Sequence, residues 1–231
     1  MGEVTPSAGA IVVAAGAGER MGAGVPKALM PVGGRPLLAW CVDVLGAHPR
    51  VGHLVVVAPP GREVEFMGLM PDTDIDVSVV RGGSSRAHSV ALGMEAIPVA
   101  CELVLVHDAA RPLLHAGLVD AVLDGIGDGD GAIAAAPLAD TPKRVNENGV
   151  ITETPARAGL WLAQTPQAFR TEAFRAAIRA AVVAERLHAA TDCASLIEAV
   201  GGRVHVVANP EPNPKVTTPG DVPLAEMLLG A

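Results

Sequence analysis

Six short apolar runs recur along the chain, and helical patterns fill the intervals between them. This alternation restricts the fold more than any other feature. The runs are "AIVVAA" (10–15), "HLVVVA" (53–58), "IDVSVV" (75–80), "LVLVHD" (103–108), "GAIAAAP" (131–137) and "RVHVVA" (203–208). Most are continuously apolar, as expected of strands covered on both faces of a parallel sheet. Helical patterns occupy 35–47, 62–69, 84–97, 115–125, 171–187, 191–200 and 219–229. The expected fold class is α/β, a Rossmann-like, doubly wound, mostly parallel sheet. In such sheets ligands lie beyond the carboxyl ends of the strands. A length of 231 residues fits one domain over 1–231. One region breaks the pattern. The stretch 140–169 holds "VNENGVI", two β-prone pieces around an Asn-Gly turn, and predicts a β-hairpin arm inserted at about 139–160. A two-stranded arm is marginal alone, so a partner subunit is expected beneath it.

Composition excludes several roles. A net charge of −8 and 2% aromatic residues argue against a nucleic-acid polymer as partner, which needs cations and stacking platforms. No apolar run reaches the ~18 residues of a membrane span, and the N-terminal run lacks the basic flank of a signal peptide. The expected location is cytoplasmic. Cys41, Cys101 and Cys193 are widely spaced without a CxxC pair, so each is expected to pack as a small apolar residue. No protein-held metal site is expected.

The useful residues are those that follow the strands. After the first come Ala14, Ala15, Gly16, Ala17 and Gly18, small enough for a phosphate to approach backbone N–H groups. A dinucleotide fingerprint would need glycine where Met21 stands, and a P-loop lysine would not follow Pro26. A tight connection without a ligand would use the same glycines. Arg20 and Lys27 favour the ligand reading: two cations beside such a nest, with Pro26 stiffening the approach, suit an anion that gains charge during reaction. "RGGSSRAHSVALGM" (81–94) places Gly82 and Gly83 before a helix start, with Ser84 or Ser85 as cap and Arg86 and Ser89 on one face. That face suits a base or phosphates; ordinary capping accounts for the same residues. "LVLVHDAARPLL" (103–114) ends a buried strand in Asp108, which suits a sugar hydroxyl or Mg²⁺. His107 is read as structural. Further polar groups follow later strands, none specific alone: Thr141, Arg157, "QTPQAF" (164–169), "ATDCAS" (190–195) and Lys215. Hydrolase and zinc-enzyme signatures are absent from the sequence.

Taken in order, "AAGAGERM" with "PKAL", "GGSSRAHSV", "HDAARP", "QTPQAF", "TDCASLIE" and "PKVTTPGD" resemble the 2-C-methyl-D-erythritol 4-phosphate cytidylyltransferases, over about residues 10–228. The resemblance implies a nucleotidyltransferase that forms CDP-methylerythritol and pyrophosphate from CTP and the polyol phosphate. It implies Mg²⁺, bound mainly through the CTP phosphates. It assigns Ala14, Ala15, Gly16 and Gly18 to the triphosphate, and Arg20 and Lys27 to the charge on the transition state and leaving pyrophosphate. Gly82, Gly83 and Ser89 fall to cytosine and ribose, and Asp108 and Ala109 to the sugar. Arg157 and Lys215 hold the polyol phosphate, with Arg111, Thr141, Thr165 and Thr191 lining that second site. It implies a homodimer in which the arm, carrying Thr141 and Arg157, crosses to the partner. Ser84 departs from the acidic residue of some members. Residues 1–9 match nothing and are expected to be disordered. A ribitol 5-phosphate cytidylyltransferase stays open as the alternative. A silent nucleotide-binding regulator would lack at least one of Arg20, Lys27, Arg157 and Lys215, and all four are present.

Overall fold

The computed structural model describes residues 8–16 and 25–231. In chain order the strands are β1 (Ala8–Val13), β2 (Pro31–Val32), β3 (Arg35–Pro36), β4 (Val51–Ala58), β5 (Asp76–Arg81), β6 (Leu103–Asp108), β7 (Gly131–Pro137), β8 (Arg144–Val145), β9 (Ile151–Glu153), β10 (Trp161–Arg170) and β11 (Val204–Ala208). The α-helices are α1 (Leu37–Gly46), α2 (Glu63–Met67), α3 (Arg86–Ala96), α4 (Ala116–Asp124), α5 (Thr171–Val183), α6 (Ala194–Ala199) and α7 (Val222–Leu229).

Seven strands form one sheet in the order β11-β7-β10-β6-β1-β4-β5. The pairs β1–β4, β1–β6, β4–β5 and β7–β11 are parallel, and β10 is antiparallel to both of its neighbours. The period-two alternation of a strand sorts the core into two layers. Ala10 and Val12 of β1 join Leu54 and Val56 of β4 under Val42 and Leu45 of α1 and Val119 and Val122 of α4. Ile11, between them in sequence, faces the opposite side with Val55, Val57, Val90 and Met94 of α3, and Phe174 of α5. Helices on both faces explain why these strands read as unbroken apolar runs.

Each of the six predicted strands is found within two residues of its expected ends. The strand the sequence hides is β10. It occupies a central place in the sheet, yet 140–169 reads as arm and connection because Gln164, Pro166 and Gln167 interrupt its apolar pattern. The register shifts between Ala163 and Gln167, and Pro166 falls in that irregularity, where no ladder hydrogen bond is lost. The last third of β10 is core: Phe169 stacks on Phe174 with ring centroids 4.6 Å apart.

Several boundaries differ from expectation: the helices predicted over 171–187, 191–200 and 219–229 run over Thr171–Val183, Ala194–Ala199 and Val222–Leu229. The helix predicted from residue 35 starts at Leu37, because Arg35 and Pro36 belong to a β2–β3 hairpin turned by Gly33 (φ 59°) and Gly34 (φ 77°). Residues 1–9 were expected to be disordered, but Ala8 and Gly9 open β1, and the Ala8 N–H donates to Arg50 O at 3.0 Å. The expectation for residues 1–7 lies outside the described residues. The connection between β7 and β10 carries the β8–β9 hairpin, with five residues, 146–150, between its strands. Asn146 Oδ1 accepts from the N–H of both Asn148 and Val150 at 3.0 Å, and Gly149 takes φ 75°. Val145, Val150 and Ile151 are exposed on this hairpin.

Candidate active site

The parallel strands deliver their carboxyl ends to one edge, and a cavity of about 430 Å³ opens there. Ala14, Ala15 and Gly16 line it after β1, Gly83 and Ser89 around the start of α3, and Asp108 and Ala109 after β6. Lys27 and Lys215 reach it from two other segments. Nine sequence-predicted residues therefore meet in one cleft. Gly82 sits just beneath its wall. A Cβ on Gly82 would come within 2.3 Å of Ala15 Cβ and 2.9 Å of Ala58 O, so only glycine lets the two loops approach. The Gly83 N–H donates to Ser89 Oγ at 3.0 Å, and Ser85, not Ser84, caps α3 by accepting from the His88 N–H at 3.1 Å.

The two lysines come from distant parts of the chain. Lys27 opens a short 3₁₀ turn behind Pro26, which is followed by the β2–β3 hairpin. Lys215 lies between Asn213 and Val216, and the Val216 N–H donates to Ala110 O at 2.8 Å. A small core of Val32, Leu37, Ala110, Val216 and Ala225 ties both segments to α7, and the Gly33 N–H donates to Glu226 Oε1 at 3.0 Å. The C-terminal helix is thus a brace between the supports of the two cations.

Asp108 is the electrostatic centre. Its side chain is 9% exposed. Arg86 places Nε and Nη2 each 2.9 Å from Oδ1, and Lys215 places Nζ 2.6 Å from Oδ2. Burial opposes ionisation of this carboxyl, but the Arg86 and Lys215 charges overcome it and hold the group well below the usual carboxylate range. His107 is structural, as expected. Burial pushes its imidazole down to about 4, so the ring is neutral near pH 7. Its Nε2 lies 3.0 Å from Arg111 O, which can only accept, so Nε2 carries the proton. Nδ1 then accepts from Thr165 Oγ1 at 3.2 Å, and that hydroxyl accepts from the Asp108 N–H at 3.0 Å.

Polar residues of β10 build the scaffold beneath the cleft, and nothing in their sequence spacing announces it. Gln164 Oε1 accepts from Nδ2 of both Asn209 and Asn213, at 3.2 and 3.1 Å. Asn213 O accepts from Arg111 Nη1. Gln167 donates to Asp192 Oδ2 at 2.9 Å and accepts from the Cys193 N–H at 3.0 Å. These bonds hold the 209–216 and 190–195 segments against β10, and Arg111 ties the first of them to the turn after β6. Gln167→Ala leaves the buried Cys193 N–H without its acceptor and takes one of the donors from the Asp192 carboxylate, which keeps the Ser195 N–H. It should cost about 1–3 kcal/mol in urea unfolding; an unchanged midpoint would show that the segment is held by other contacts.

Other predicted residues are not gathered into this cleft. Thr141 and Arg157 are exposed on the β7–β10 connection, where Arg157 Nη1 donates to Ala139 O at 2.6 Å. Thr191 is exposed beside Asp192. Thr165 and Arg111 spend polar atoms inside the scaffold just described. Gly18 and Arg20 lie outside the described residues. Cys41, Cys101 and Cys193 are buried and free. Among the described residues no three His, Cys, Asp or Glu converge as a cation cage, and both Asp108 oxygens face cations. Among the described residues, then, the side chains of the cleft form no cage for a protein-held Mg²⁺. No helix of the described residues is long and apolar enough to cross a membrane.

A doubly wound sheet with a cationic cleft at its carboxyl edge, floored by small residues and an ion-paired aspartate, defines a nucleotidyltransferase-type enzyme. The family described as "IspD: 2-C-methyl-D-erythritol 4-phosphate cytidylyltransferase" matches residues 8–231. The 2-C-methyl-D-erythritol 4-phosphate cytidylyltransferase of Thermosynechococcus vestitus is 40% identical over 221 residues, covering 95% of this chain and 94% of its own. That of Frankia casuarinae is 43% identical over 226 residues, covering 97% and 82%. The crystal structure of 4-diphosphocytidyl-2C-methyl-D-erythritol synthase from Anaerococcus prevotii superposes with a TM-score of 0.84 at 27% identity, covering 97% of this chain and 98% of that one. The chain belongs to the 2-C-methyl-D-erythritol 4-phosphate cytidylyltransferase family.

Proposed function

We propose that this enzyme joins CTP and 2-C-methyl-D-erythritol 4-phosphate into CDP-methylerythritol and releases pyrophosphate. The observation that carries the reading is the meeting of Lys27, the 14–16 loop, Asp108 and Lys215 in one cleft of a chain from this family. A phosphate oxygen of the polyol phosphate attacks the α-phosphorus in line, and the P–O bond to pyrophosphate breaks. Chemistry of this kind asks for positioning and charge neutralisation more than for covalent help. The loop of Ala14, Ala15, Gly16 and Gly18 cradles the triphosphate, with Arg20 and Lys27 on the charge that develops. Gly82, Gly83 and Ser89 face the base and ribose, and Asp108 and Ala109 the sugar. Lys215 and Arg157 aim the polyol phosphate, with Arg111, Thr141, Thr165 and Thr191 around it. Divalent metal enters as Mg²⁺ on the CTP phosphates, where it supplies charge neutralisation.

Two features support a homodimer built through the arm. Arg157 and Thr141 need a route to a cleft, and the arm and its root expose Val145, Val150, Ile151, Leu160, Trp161 and Leu162, an apolar surface costly to leave in water. In that arrangement each cleft borrows the partner's arm. A cytoplasmic location suits three buried free thiols and an acidic, span-free chain. Arg157→Ala should raise KM for the polyol phosphate at least about tenfold, the scale of a lost charge-assisted bond, with KM for CTP little changed. Unchanged constants for both substrates would remove it from the site. Sedimentation of the full chain against one lacking 139–160 tests the dimer; a full-length monomer would refute it.

The defining experiment is pyrophosphate release from CTP and Mg²⁺ with methylerythritol 4-phosphate and ribitol 5-phosphate in parallel. Faster turnover of the branched substrate is expected. Preference for ribitol 5-phosphate would overturn the substrate while keeping the chemistry.

A further inference from the structure

Arg86 lines the cleft wall, and its guanidinium is engaged by protein groups. It is the first residue of α3, directly after the Ser85 cap, and its guanidinium spans from Asp108 to Cys193 Sγ, 3.5 Å from Nη1. Both Nε and Nη2 are given to Asp108 Oδ1. The second oxygen, Oδ2, is held by Lys215. The two cations are not equivalent. Arg86 is anchored by a helix start, a thiol and two contacts to one oxygen, with a side chain 27% exposed. Lys215 has a single contact to Asp108 on a flexible four-carbon stem and is 38% exposed toward the cavity. The Lys215 charge is paired with Asp108, so a phosphate that binds Lys215 has to draw it away. Asp108, almost fully buried, would then face a desolvation penalty with nothing on either oxygen, were Arg86 not there.

We propose that Arg86 is a positioning residue: it keeps the Asp108 carboxylate charged and aimed while Lys215 moves from that carboxylate to the phosphate of the second substrate. The inference rests on the substrate reading above. Arg86 itself touches no reacting atom. Its effect runs through Asp108, and through Asp108 to the freedom of Lys215. With Arg86 gone, Asp108 would depend on Lys215 alone and hold it more tightly.

The charged and titratable groups around Asp108 are Arg86 from α3, Lys215 from the 209–216 segment, and His107 and Arg111 beside it in the chain. The Cys193 and Cys41 thiols complete the set. Burial holds His107 neutral and raises both thiols, so among these groups Arg86, Lys215 and Arg111 bring charge to the carboxylate near neutral pH.

The test compares wild type, Arg86→Gln and Arg86→Lys. Carbon-13 NMR of the Asp108 carboxyl in the ligand-free chain needs no turnover. In Arg86→Gln its titration should move up by about one pH unit or more, because an opposite charge has been removed. In Arg86→Lys it should stay near wild type. Steady-state rates should then show KM for the polyol phosphate up about tenfold or more in Arg86→Gln, with KM for CTP nearly constant, and the acid limb of turnover displaced upward. Arg86→Lys should recover most of this. Should Arg86→Gln not fold, the lysine variant decides the matter: it is then expected to keep the wild-type titration with a smaller rise in KM. An unmoved Asp108 titration in Arg86→Gln, or an equal loss with both substrates and no shift of the acid limb, would overturn the proposal. So would an Asp108 titration in Arg86→Lys as displaced as that expected for Arg86→Gln. If wild type itself fails to use a polyol phosphate, the substrate reading falls, while the NMR titration still decides the Arg86–Asp108 linkage.

Discussion

Lys27→Ala should lower turnover by roughly 10²–10³-fold while KM for CTP changes by only a few-fold. The first magnitude is that of removing one preorganised donor from a developing negative charge. Lys27 lines the same cleft as Gly16, on a short turn with Pro26 before it and the β2–β3 hairpin after it. A residue fixed in this way costs little reorganisation when charge moves onto the leaving pyrophosphate. An interaction that strengthens only in the transition state appears in kcat, not in KM. Steady-state kinetics with CTP varied at saturating polyol phosphate checks it. A variant with wild-type turnover and a weakened KM for CTP would make Lys27 a ground-state contact.

Asp108→Asn should destabilise the chain by about 3–5 kcal/mol at pH 7, the usual cost of removing one partner of a buried ion pair. Arg86 is the main reason: its guanidinium remains beside the amide, without a countercharge. Lys215, whose side chain is partly exposed, can turn to solvent and adds less. The pH dependence follows from the direction of the shift. The folded Asp108 carboxyl titrates below its unfolded value of about 3.9. Its stabilisation is therefore fully present above about pH 4 and is lost as pH falls through the lower, folded value. Urea unfolding from pH 7 down to about 2 should show wild type losing this advantage below pH 4, and Asp108→Asn running nearly parallel to it above. A variant as stable as wild type at pH 7 would mean that Arg86 finds another partner.

The residues that could be read directly are those whose task needs a special residue type. Small residues after β1, paired glycines before α3 and an aspartate ending an apolar strand each carry a local physical reason, and those among the described residues reached the cleft wall or lay directly behind it. Ion-pair partners could not be read. Arg86 precedes Asp108 by 22 positions and Lys215 follows by 107. Nothing in local spacing states that one guanidinium and one ammonium would divide the two oxygens of a carboxylate. Gln164 and Gln167 stand in the quoted QTPQAF stretch, but the strand that carries them does not show: a polar residue inside a strand weakens the apolar pattern that reveals it, yet its bonds are what hold the neighbouring segments.

Two different physical scales separate these outcomes. Apolar periodicity acts over a few residues, so the order of strands and helices, the two-faced core and the edge at which a ligand would sit are all written locally. The place of β10 between β6 and β7, the Asp108 ion pairs and the brace from α7 to the supports of Lys27 and Lys215 depend on contacts between segments tens to hundreds of residues apart. Those contacts exist only once the sheet has closed and water has left them, and it is that loss of water that turns an aspartate, an arginine and a lysine into one electrostatic unit.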